Sequence, residues 1–294
     1  MKRTAFIAIV GRPNVGKSTL LNALMGEKIA IVSKKPQTTR NRITGILTKG
    51  EDQYVFLDTP GMHKPKTKLG DIMVKNVRKT VGESDAVILV VDATYEPGQI
   101  EEGFIERIKK HELPSILVIN KTDKAEPEQI GECIKAYSAL HDFNSIIPIS
   151  AVKNDGTDIV LKEAEGFMEE GDWFFPESAL TDQPERQIAA EIIREKLLRT
   201  LDEEIPHGTA VIVESFEEGQ KLLKINATIY CEKESHKGII IGKRGETLKK
   251  IGSYAREDME AFFDTKVYLN IWVKVKENWR DSQSVISNFG FKLD

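Results

Sequence analysis

The stretch Gly11-Arg12-Pro13-Asn14-Val15-Gly16-Lys17-Ser18 decides how the first half of the chain folds. It matches the spacing Gly-x-x-x-x-Gly-Lys-Ser/Thr, in which backbone N–H groups wrap phosphates, the lysine adds positive charge and the hydroxyl ligates Mg²⁺. Residues 5–10 before it are all apolar, as in a strand buried on both faces of a parallel sheet. Residues 18–24 then carry apolar side chains at helical spacing. The order of strand, loop and helix therefore predicts a phosphate-binding loop rather than an ordinary glycine-rich turn.

Further apolar runs predict the remaining strands of the same sheet. They lie at residues 54–57, 86–91, 115–119 and 146–149. Each of the last three follows a helical segment, an alternation that predicts a mainly parallel sheet flanked by helices. Ligands of such sheets bind outside the carboxyl ends of the strands. The segments to inspect are therefore those that follow each strand, at residues 11–18, 58–61, 92–93, 120–123 and 150–151.

Two of these segments point to a guanine nucleotide. In Asp58-Thr59-Pro60-Gly61 the acid follows a strand, where it can hold Mg²⁺ through a water while the glycine amide faces the γ-phosphate. In Asn120-Lys121-Thr122-Asp123 the final carboxylate can accept from both N1–H and the amino group of guanine, which adenine cannot satisfy. An unpaired buried acceptor costs about 1–3 kcal/mol, so the pattern favours GTP over ATP. The backbone of Ser150-Ala151 is expected to contact the guanine carbonyl.

With these motifs, residues 1 to about 170 resemble the translation-factor-class GTPases. The Asn-Val pair within the phosphate loop is typical of the TrmE-Era-EngA-like family. The loop Pro36-Gln37-Thr38-Thr39-Arg40 is similar to the first switch of the Era group in that family. This resemblance implies that Thr39 completes the Mg²⁺ shell when GTP is bound.

The predicted site residues fall into three overlapping sets. The expected GTP-binding residues are Gly11, Arg12, Pro13, Asn14, Val15, Gly16, Lys17, Ser18, Thr19, Asp58, Thr59, Pro60, Gly61, Met62, Asn120, Lys121, Thr122, Asp123, Ser150 and Ala151. The expected metal ligands are Ser18, Thr39 and Asp58. The expected catalytic residues are Asn14, Lys17, Thr39 and Gly61.

Unaided hydrolysis of GTP is expected to be slow. Small GTPases place a water-orienting Gln after Asp-x-x-Gly, whereas this chain has Met62, whose thioether cannot orient a water. We interpret Arg12, Arg40 and Arg42 as solvent-facing side chains, so none is assigned as an arginine finger. We hypothesise instead that Asn14 helps to hold a K⁺ ion that supplies the missing charge, as in related GTPases.

The second half of the chain has a different order of elements. A polar linker at residues 172–185 contains three aromatic residues, 173–175, which we expect to pack against one domain rather than bind a ligand. An amphipathic helix follows at 186–201. Strands are predicted at 209–215, 222–230 and 267–275, and a helical run at 247–263.

Gly242-Lys243-Arg244-Gly245 lies between two helical segments and resembles the Gly-x-x-Gly loop of type II KH domains. Its glycines allow backbone amides to approach phosphates, and the adjoining groove of such domains holds four nucleotides of single strand. Residues 237–250 contain five basic side chains and one acid. The predicted RNA-binding residues are Lys237, Gly238, Ile241, Gly242, Lys243, Arg244, Gly245, Lys249 and Lys250.

The predicted fold is therefore α/β, with an N-terminal P-loop GTPase domain built on a mixed, mainly parallel sheet and a C-terminal α+β type II KH domain. The expected boundaries are 1–171 for the GTPase domain, 172–185 for the linker, 186–280 for the KH domain and 281–294 for a tail. For the aromatic residues Trp279 and 289–291, packing and RNA stacking are both left open.

Composition limits the remaining function classes. A chain of 294 residues with 40% hydrophobic residues and a net charge of −4 predicts two soluble domains without a globally basic surface. Cys133 and Cys231 lie far apart in sequence, as expected of reduced thiols. No apolar stretch reaches the length of a membrane span, and residues 5–10 are too short for a signal peptide. We therefore expect a cytoplasmic protein.

The resemblance to the Era group implies a GTPase that also binds the 3′ region of 16S rRNA and acts in 30S subunit assembly. Its implied cofactors are GTP/GDP and Mg²⁺. The resemblance further implies a monomer that binds RNA and not DNA, and it allows peripheral contact with the inner face of the cell membrane. An alternative is an RNA-binding scaffold with a structural guanine nucleotide. A tRNA-modifying GTPase would share the first domain, but the terminal reactive Cys motif of that class is missing here.

Overall fold

The computed structural model describes residues 1–33, 35–62 and 65–291. Residue 34, residues 63 and 64 and residues 292–294 of the predicted tail lie outside the described residues. The chain divides into two compact units, formed mainly by residues 1–182 and 183–291. Within the described ranges, no helix combines the length and the apolar run needed to cross a bilayer.

The first unit is a seven-stranded sheet with helices on both faces. Its strand order is β2-β3-β1-β4-β5-β6, and β7 pairs with β1. The strands are β1 (Arg3–Val10), β2 (Ile43–Lys49), β3 (Asp52–Asp58), β4 (Ala86–Asp92), β5 (Ser115–Asn120), β6 (Ser145–Pro148) and β7 (Glu169–Glu170). The helices are α1 (Lys17–Met25), α2 (Lys68–Gly82), α3 (Gln99–Lys110), α4 (Pro127–Ser138) and α5 (Thr157–Ala164).

The continuous apolar runs become strands because both faces of the sheet are covered. Side chains alternate across a strand, so Ile7 and Ile9 of β1 enter one apolar cluster while Ala8 and Val10 enter the other. β1, β3, β4, β5 and β6 are parallel, and their carboxyl ends lie at one edge. The loops that follow β1, β3, β5 and β6 therefore meet there, as predicted.

β2 was not among the predicted strands. It pairs antiparallel with β3 along its whole length and forms the edge of the sheet. Its Gly45 packs closely against α1, because a Cβ at this position would lie 2.7 Å from Leu21 Cδ1. The combination of Gly, Thr and Lys in β2 hides the apolar pattern on which strand prediction depends.

The linker aromatics pack against the first unit, as the sequence predicted. Trp173 Nε1 donates to the Glu51 carbonyl at 3.0 Å. The side-chain amide of Gln53 donates to the Phe175 carbonyl at 2.9 Å and accepts from its amide at 3.0 Å. Phe174 meets Phe6 edge to face with 4.9 Å between ring centroids. The segment is thus tied to the start of β1 and β3.

The second unit is a three-stranded sheet in the order β10-β9-β8 with helices on one face. β9 is antiparallel to β8 and parallel to β10. The strands are β8 (Ala210–Glu218), β9 (Leu222–Cys231) and β10 (Lys266–Val275). The helices are α6 (Glu185–Thr200), α7 (Glu234–Ile241), α8 (Glu246–Phe263) and α9 (Gln283–Asn288). The order from α6 to β10 is the type II KH order expected from the sequence.

Trp279 and the described part of the predicted tail pack on the second unit. Trp279 is fully buried, and its Nε1 donates to the Gly208 carbonyl at 2.9 Å. Phe289 contacts Trp279 and also Tyr230, with ring centroids 5.4 and 4.7 Å apart. Of the two alternatives left open by the sequence, packing therefore describes Trp279.

Candidate nucleotide site and RNA interface

The phosphate loop is closely packed against the segment after β5. Gly16 has a φ of 102°, and a Cβ there would lie 2.2 Å from Asn120 Nδ2, so only glycine fits. That amide nitrogen donates to the Val15 carbonyl at 2.8 Å, while Asn120 Oδ1 accepts from the Ala151 amide at 3.0 Å. Asn120 thus ties the phosphate loop to the loop after β6.

Lys17 begins α1 and points back over the loop. Its Nζ donates to the carbonyls of Gly11 at 3.2 Å and Arg12 at 2.8 Å, and the side chain is buried. Burial lowers the pKa of Lys17 to about 8, and the nearby Asp58 opposes this shift. A buried ammonium held at a glycine-containing loop is a donor that favours phosphate oxygens.

The three predicted metal ligands come together. Ser18 Oγ donates to Asp58 Oδ2 at 2.6 Å, and Thr39 Oγ1 lies 3.3 Å from the same oxygen and 2.8 Å from Ser18 Oγ. Burial raises the pKa of Asp58 to about 6, while Lys17 and the two hydroxyls lower it. Asp58 Oδ1 is buried and has no hydrogen-bond partner in the part of the chain that the structure describes. Two hydroxyls and one carboxylate offer only oxygen ligands, which are the ligands that Mg²⁺ prefers.

The interpretation of Arg12 as a solvent-facing side chain is wrong. Its guanidinium makes a two-pronged ion pair with the buried carboxylate of Glu101 in the first turn of α3, with 2.6 Å between Nη2 and Oε2. Glu101 also accepts from the Gly98 amide at 3.1 Å. The side chain of Arg12 therefore anchors the phosphate loop to α3. No sequence signal connects two residues 89 positions apart.

The other two arginines also differ from the expectation. Arg40 is buried at 3% exposure, next to the buried Thr39, and Arg42 is only partly exposed. Both lie in the irregular segment before β2. The solvent-facing interpretation is therefore wrong for Arg40 as well, because the segment packs inward instead of extending into solvent.

The remaining residues of the second motif lie beside the phosphate loop. Thr59 Oγ1 donates to the Ile9 carbonyl at 2.9 Å, and the Met62 amide donates to the Gly11 carbonyl at 3.3 Å. A Cβ on Gly61 would lie 2.5 Å from the backbone nitrogen of Pro13. Residues 58–62 thus close one side of the loop. Asn14 lies in the loop with a φ of 64°.

Two polar or ionic contacts orient the loop that the sequence predicts to contact the base. Ser150 Oγ donates to Asp123 Oδ1 at 2.7 Å, and this hydrogen bond lowers the pKa of Asp123. Lys121 Nζ lies 2.6 Å from Asp92 Oδ2. Although burial raises the pKa of Asp92, its contacts with Lys121 and Thr94 hold it below the usual value. Asp92 is the last residue of β4, at a strand end where the sequence predicts ligand contacts, but its pairing with Lys121 has no sequence signal.

In the loop after β6, the backbone amides of Ser150 and Ala151 already donate hydrogen bonds within the protein. Ser150 N donates to the Asp155 carbonyl at 3.0 Å, and Ala151 N donates to Asn120 Oδ1. A guanine carbonyl at this position would share the Ala151 amide with the side chain of Asn120. Thr122 N donates to the Ile149 carbonyl at 3.1 Å, which fixes the loop after β5 against the end of β6.

We expect Asp123→Asn to change the base preference from guanine to xanthine. The carboxylate accepts both N–H donors of guanine, whereas the carboxamide offers one donor and one acceptor, which match the xanthine edge. Because mispaired polar groups cost about 1–3 kcal/mol, the affinity for GTP should fall about 10–100-fold and that for XTP should rise. Competition of GTP and XTP against a fluorescent GDP measures both affinities.

Asp155→Asn is the matched control, because Asp155 is an exposed acid near the same loop. This variant should keep the affinities of the unmodified chain. An Asp123→Asn protein that still prefers GTP would contradict the assignment of Asp123 to the base.

The Gly-x-x-Gly loop of the second unit connects α7 to α8. Gly242 has a φ of 74°, and a Cβ there would lie 2.2 Å from Thr247 Oγ1. Gly245 has a φ of 81° and immediately precedes α8. Lys243 and Arg244 occupy the turn between them. The loop therefore presents two basic side chains beside the N-terminus of a long helix, where anions are stabilised.

A groove of about 390 Å³ lies beside this loop. Of the predicted RNA-binding residues, Gly245 and Lys249 line it, whereas Lys237, Gly238 and Ile241 lie on α7 and Lys250 lies near Tyr254. The groove is also lined by six residues that belong to no predicted motif, which are Leu248, Gly252, Ser253, Arg256, Leu269 and Ile271. Helical spacing from Gly245 could have identified four of these, since 248, 252, 253 and 256 share one face of α8.

The strand, loop and helix geometry and the loop after β5 place the first unit among the P-loop GTPases. The turn between α7 and α8, in this sheet order, makes the second unit a KH domain. Comparison with known families agrees with both assignments. Residues 6–121 match the family described as 50S ribosome-binding GTPase, and residues 204–280 match the KH domain family.

Relatives match the whole chain. GTPase Era of Ruminiclostridium cellulolyticum is 53% identical, covering 99% of this chain and 98% of its own length. GTPase Era of Clostridium kluyveri is 50% identical, covering 99% of this chain and 100% of its own length. The chain belongs to the Era family of GTPases, and it is a GTP hydrolase.

Solved structures of this family have the same fold. A variant of Aquifex aeolicus Era bound to GDP and AlF4⁻ has a TM-score of 0.95 and 39% identity, over 99% of this chain and 100% of that chain. Era in complex with MgGDPNP and nucleotides 1506–1542 of 16S ribosomal RNA has a TM-score of 0.94 and 38% identity, over 100% of both chains.

Proposed function

We propose that this GTPase binds the 3′ region of 16S rRNA through its KH domain and acts in assembly of the 30S subunit. The observation that carries the proposal is that one chain combines a phosphate loop, the guanine-type motif at residues 120–123 and a Gly-x-x-Gly loop at the N-terminus of α8. The solved relative that holds nucleotides 1506–1542 of 16S ribosomal RNA supports the choice of RNA.

We propose that the residues around Lys17 and Asp123 bind GTP and GDP, and that Ser18, Thr39 and Asp58 hold Mg²⁺. The support is geometric. The three oxygen-bearing side chains already lie within 3.3 Å of one another. Mg²⁺ neutralises charge on the phosphates, while the chain orients them through the amides of the phosphate loop and the ammonium of Lys17.

Hydrolysis needs a positive charge that the phosphate loop does not supply from Arg12. That guanidinium is already paired with Glu101, and Met62 follows Gly61 where a water-orienting Gln stands in small GTPases. We therefore keep the hypothesis that Asn14 helps to hold K⁺ at this loop. In that role Asn14 would be a ligand and Lys17, Thr39 and Gly61 would act on the γ-phosphate.

The cellular setting proposed here follows from family membership. The protein acts as a monomer in the cytoplasm and binds the 30S subunit, with peripheral membrane contact as a secondary feature. The domain limits proposed from the sequence are 1–171, 172–185, 186–280 and 281–294, with α6 beginning at Glu185, one residue before the expected KH boundary.

We expect the nucleotide state to change RNA affinity. The γ-phosphate orders the segments at Thr39 and Gly61, and a coupling of 1–3 kcal/mol between two sites corresponds to about 5–150-fold in affinity. An oligonucleotide from the 3′ region of 16S rRNA should therefore bind about tenfold more tightly in the presence of GDPNP than of GDP. Fluorescence anisotropy with the full chain measures both values.

Equal RNA affinity in the two states would remove the switch and leave two independent sites. Absence of RNA binding in both states would overturn the proposed function. Turnover of GTP, measured on the same preparation, separates the GTPase from the scaffold alternative, because a structural nucleotide would not be hydrolysed during the assay.

A further inference from the structure

Two large aromatic side chains are exposed on strand β10. Side chains alternate across a strand, and Val267, Leu269 and Ile271 face the apolar core beneath the helices. The intervening residues Tyr268, Asn270 and Trp272 therefore lie on the opposite face of the sheet. We call these three residues the outer row. Tyr268 is 53% exposed and Trp272 is 47% exposed.

Other residues on the same face of the sheet are covered, whereas the aromatic rings of the outer row are exposed to solvent. Further along the same face, the ring of Tyr230 on β9 is covered by Phe289, which follows α9, with 4.7 Å between centroids. Thr228, which is opposite Trp272 in the strand register, is fully buried and donates to Glu214 at 2.6 Å. The C-terminal segment thus covers one part of the face and leaves the two aromatic rings in contact with solvent.

The outer row is surrounded by lysine and asparagine side chains. β9 and β10 contain no Asp or Glu, and their residues on this face include Lys224, Lys266 and Lys274. Lys224 is opposite Tyr268, and Asn226 is opposite Asn270. The acids that face these lysines come from other elements, with Glu214 3.5 Å from Lys274, Glu260 3.1 Å from Lys266 and Glu217 opposite Lys224.

These side chains match the chemistry of RNA. Aromatic faces stack on bases, amides read the edges of unpaired bases, and lysines contact phosphates. Lys266 and Lys274 are 76% and 54% exposed, so their ion pairs with carboxylates are weak and open to exchange with phosphate. A hydrophobic protein-binding patch would have apolar residues at the positions that Asn270 occupies in the outer row and that Asn226 and the lysines occupy beside it.

The outer row and the groove already described lie on opposite faces of β10, and they meet at the free edge of this strand. Leu269 and Ile271, which alternate with the outer row, line that groove together with Gly245 and Lys249. β10 is the first strand in the order β10-β9-β8, and β9 is its neighbour. A single RNA strand that leaves the groove across this edge meets the outer row next.

We propose that the outer row is a second contact for single-stranded RNA, which holds nucleotides adjoining those in the groove by stacking on Tyr268 and Trp272. The inference rests on the proposed function of the KH groove and extends its footprint. The two rings are four residues apart on one strand, or about 13 Å, whereas stacked rings lie about 4.5–7 Å apart. Each ring therefore takes a separate base.

The test compares two oligonucleotides on the full chain: a short one that fills only the groove and a longer one from the 3′ end of 16S rRNA that extends past it. In Tyr268→Ala/Trp272→Ala the affinity for the longer RNA should fall about 30-fold or more, since loss of each of the two stacking rings weakens binding about fivefold or more. The affinity for the short RNA should stay unchanged. Tyr268→Phe/Trp272→Phe should keep the affinity for both.

Tyr95→Ala is the control, because Tyr95 is a 65% exposed aromatic residue of the first unit. If the double alanine variant binds both RNAs like the unmodified chain, the outer row is not an RNA contact and the proposal is overturned. If the unmodified chain binds neither RNA, the proposed function itself is overturned, and this result differs from one in which only the outer row is not an RNA contact.

A fluorescence measurement keeps the proposal testable should the double variant fail to fold. Trp279 is fully buried, and Trp173 lies in the linker and can be replaced by Phe. In Trp173→Phe, the longer RNA should quench the emission of Trp272, and the short RNA should leave it unchanged. Equal emission with and without the longer RNA would contradict stacking.

Discussion

Lys17→Ala should raise the Kd for both GTP and GDP about 10²–10⁴-fold. The Nζ of this buried lysine donates to two carbonyls of the phosphate loop, those of Gly11 and Arg12, which hold the ammonium at the loop. Each hydrogen bond to a charged group contributes about 1.5–3 kcal/mol, and the ammonium can reach oxygens of two phosphates. Titration with a fluorescent GDP analogue measures the loss.

Lys110→Ala provides the control for charge alone, because Lys110 is an exposed lysine at the end of α3. It should bind nucleotide like the unmodified chain. RNA binding by the Lys17→Ala protein should persist, since the KH groove belongs to the second unit. A Lys17→Ala protein with a nearly unchanged Kd for GTP would show that the loop is not the phosphate site.

The second large effect is expected for Gly245→Asp, which should weaken RNA binding about 10²–10³-fold while GTP hydrolysis is retained. A Cβ at Gly245 meets no atom within 4 Å, and Asp tolerates the left-handed conformation at a φ of 81°. The fold should therefore survive. The new carboxylate lies where a phosphate would approach, and two like charges at 4 Å repel by about 4 kcal/mol at an effective dielectric constant of 20.

Gly245→Asn separates charge from shape, because Asn has the size and backbone tolerance of Asp without its charge. This variant should lose less than tenfold in RNA affinity. Anisotropy of a labelled 16S rRNA fragment measures both variants, and thermal unfolding checks that each is folded. Similar losses for Asn and Asp would mean that steric exclusion, not charge, limits binding at the loop.

The parts of the molecule that follow from local sequence could be predicted. The apolar run of β1, the glycines of the phosphate loop and the helix after it are set by neighbouring residues, and the structure has them in that order. The loops at Asp58 and Asn120 then converge because the carboxyl ends of parallel strands meet at one edge. The same reasoning holds for the Gly-x-x-Gly turn and α8.

The parts of the molecule that depend on contacts between residues far apart in sequence could not be predicted. Arg12 and Glu101 are 89 residues apart, and Lys121 and Asp92 meet only after β4 and β5 have paired. Arg40 is buried by packing that no local pattern describes. The groove beside Gly245 includes Leu269 and Ile271 because β10 pairs in parallel with β9, a register that turn chemistry does not determine.

Lys17 and Asp58 carry opposite charges in the interior of the first unit, and burial shifts the pKa of each toward its neutral form. Phosphate oxygens and a divalent cation stabilise the charged forms of both at once, so ligand binding and folding draw on the same two side chains. By mass action, each tenfold excess of nucleotide over its Kd adds about 1.4 kcal/mol to the free energy of unfolding. A higher concentration of guanine nucleotide should therefore raise the resistance of the first unit to heat and to proteases.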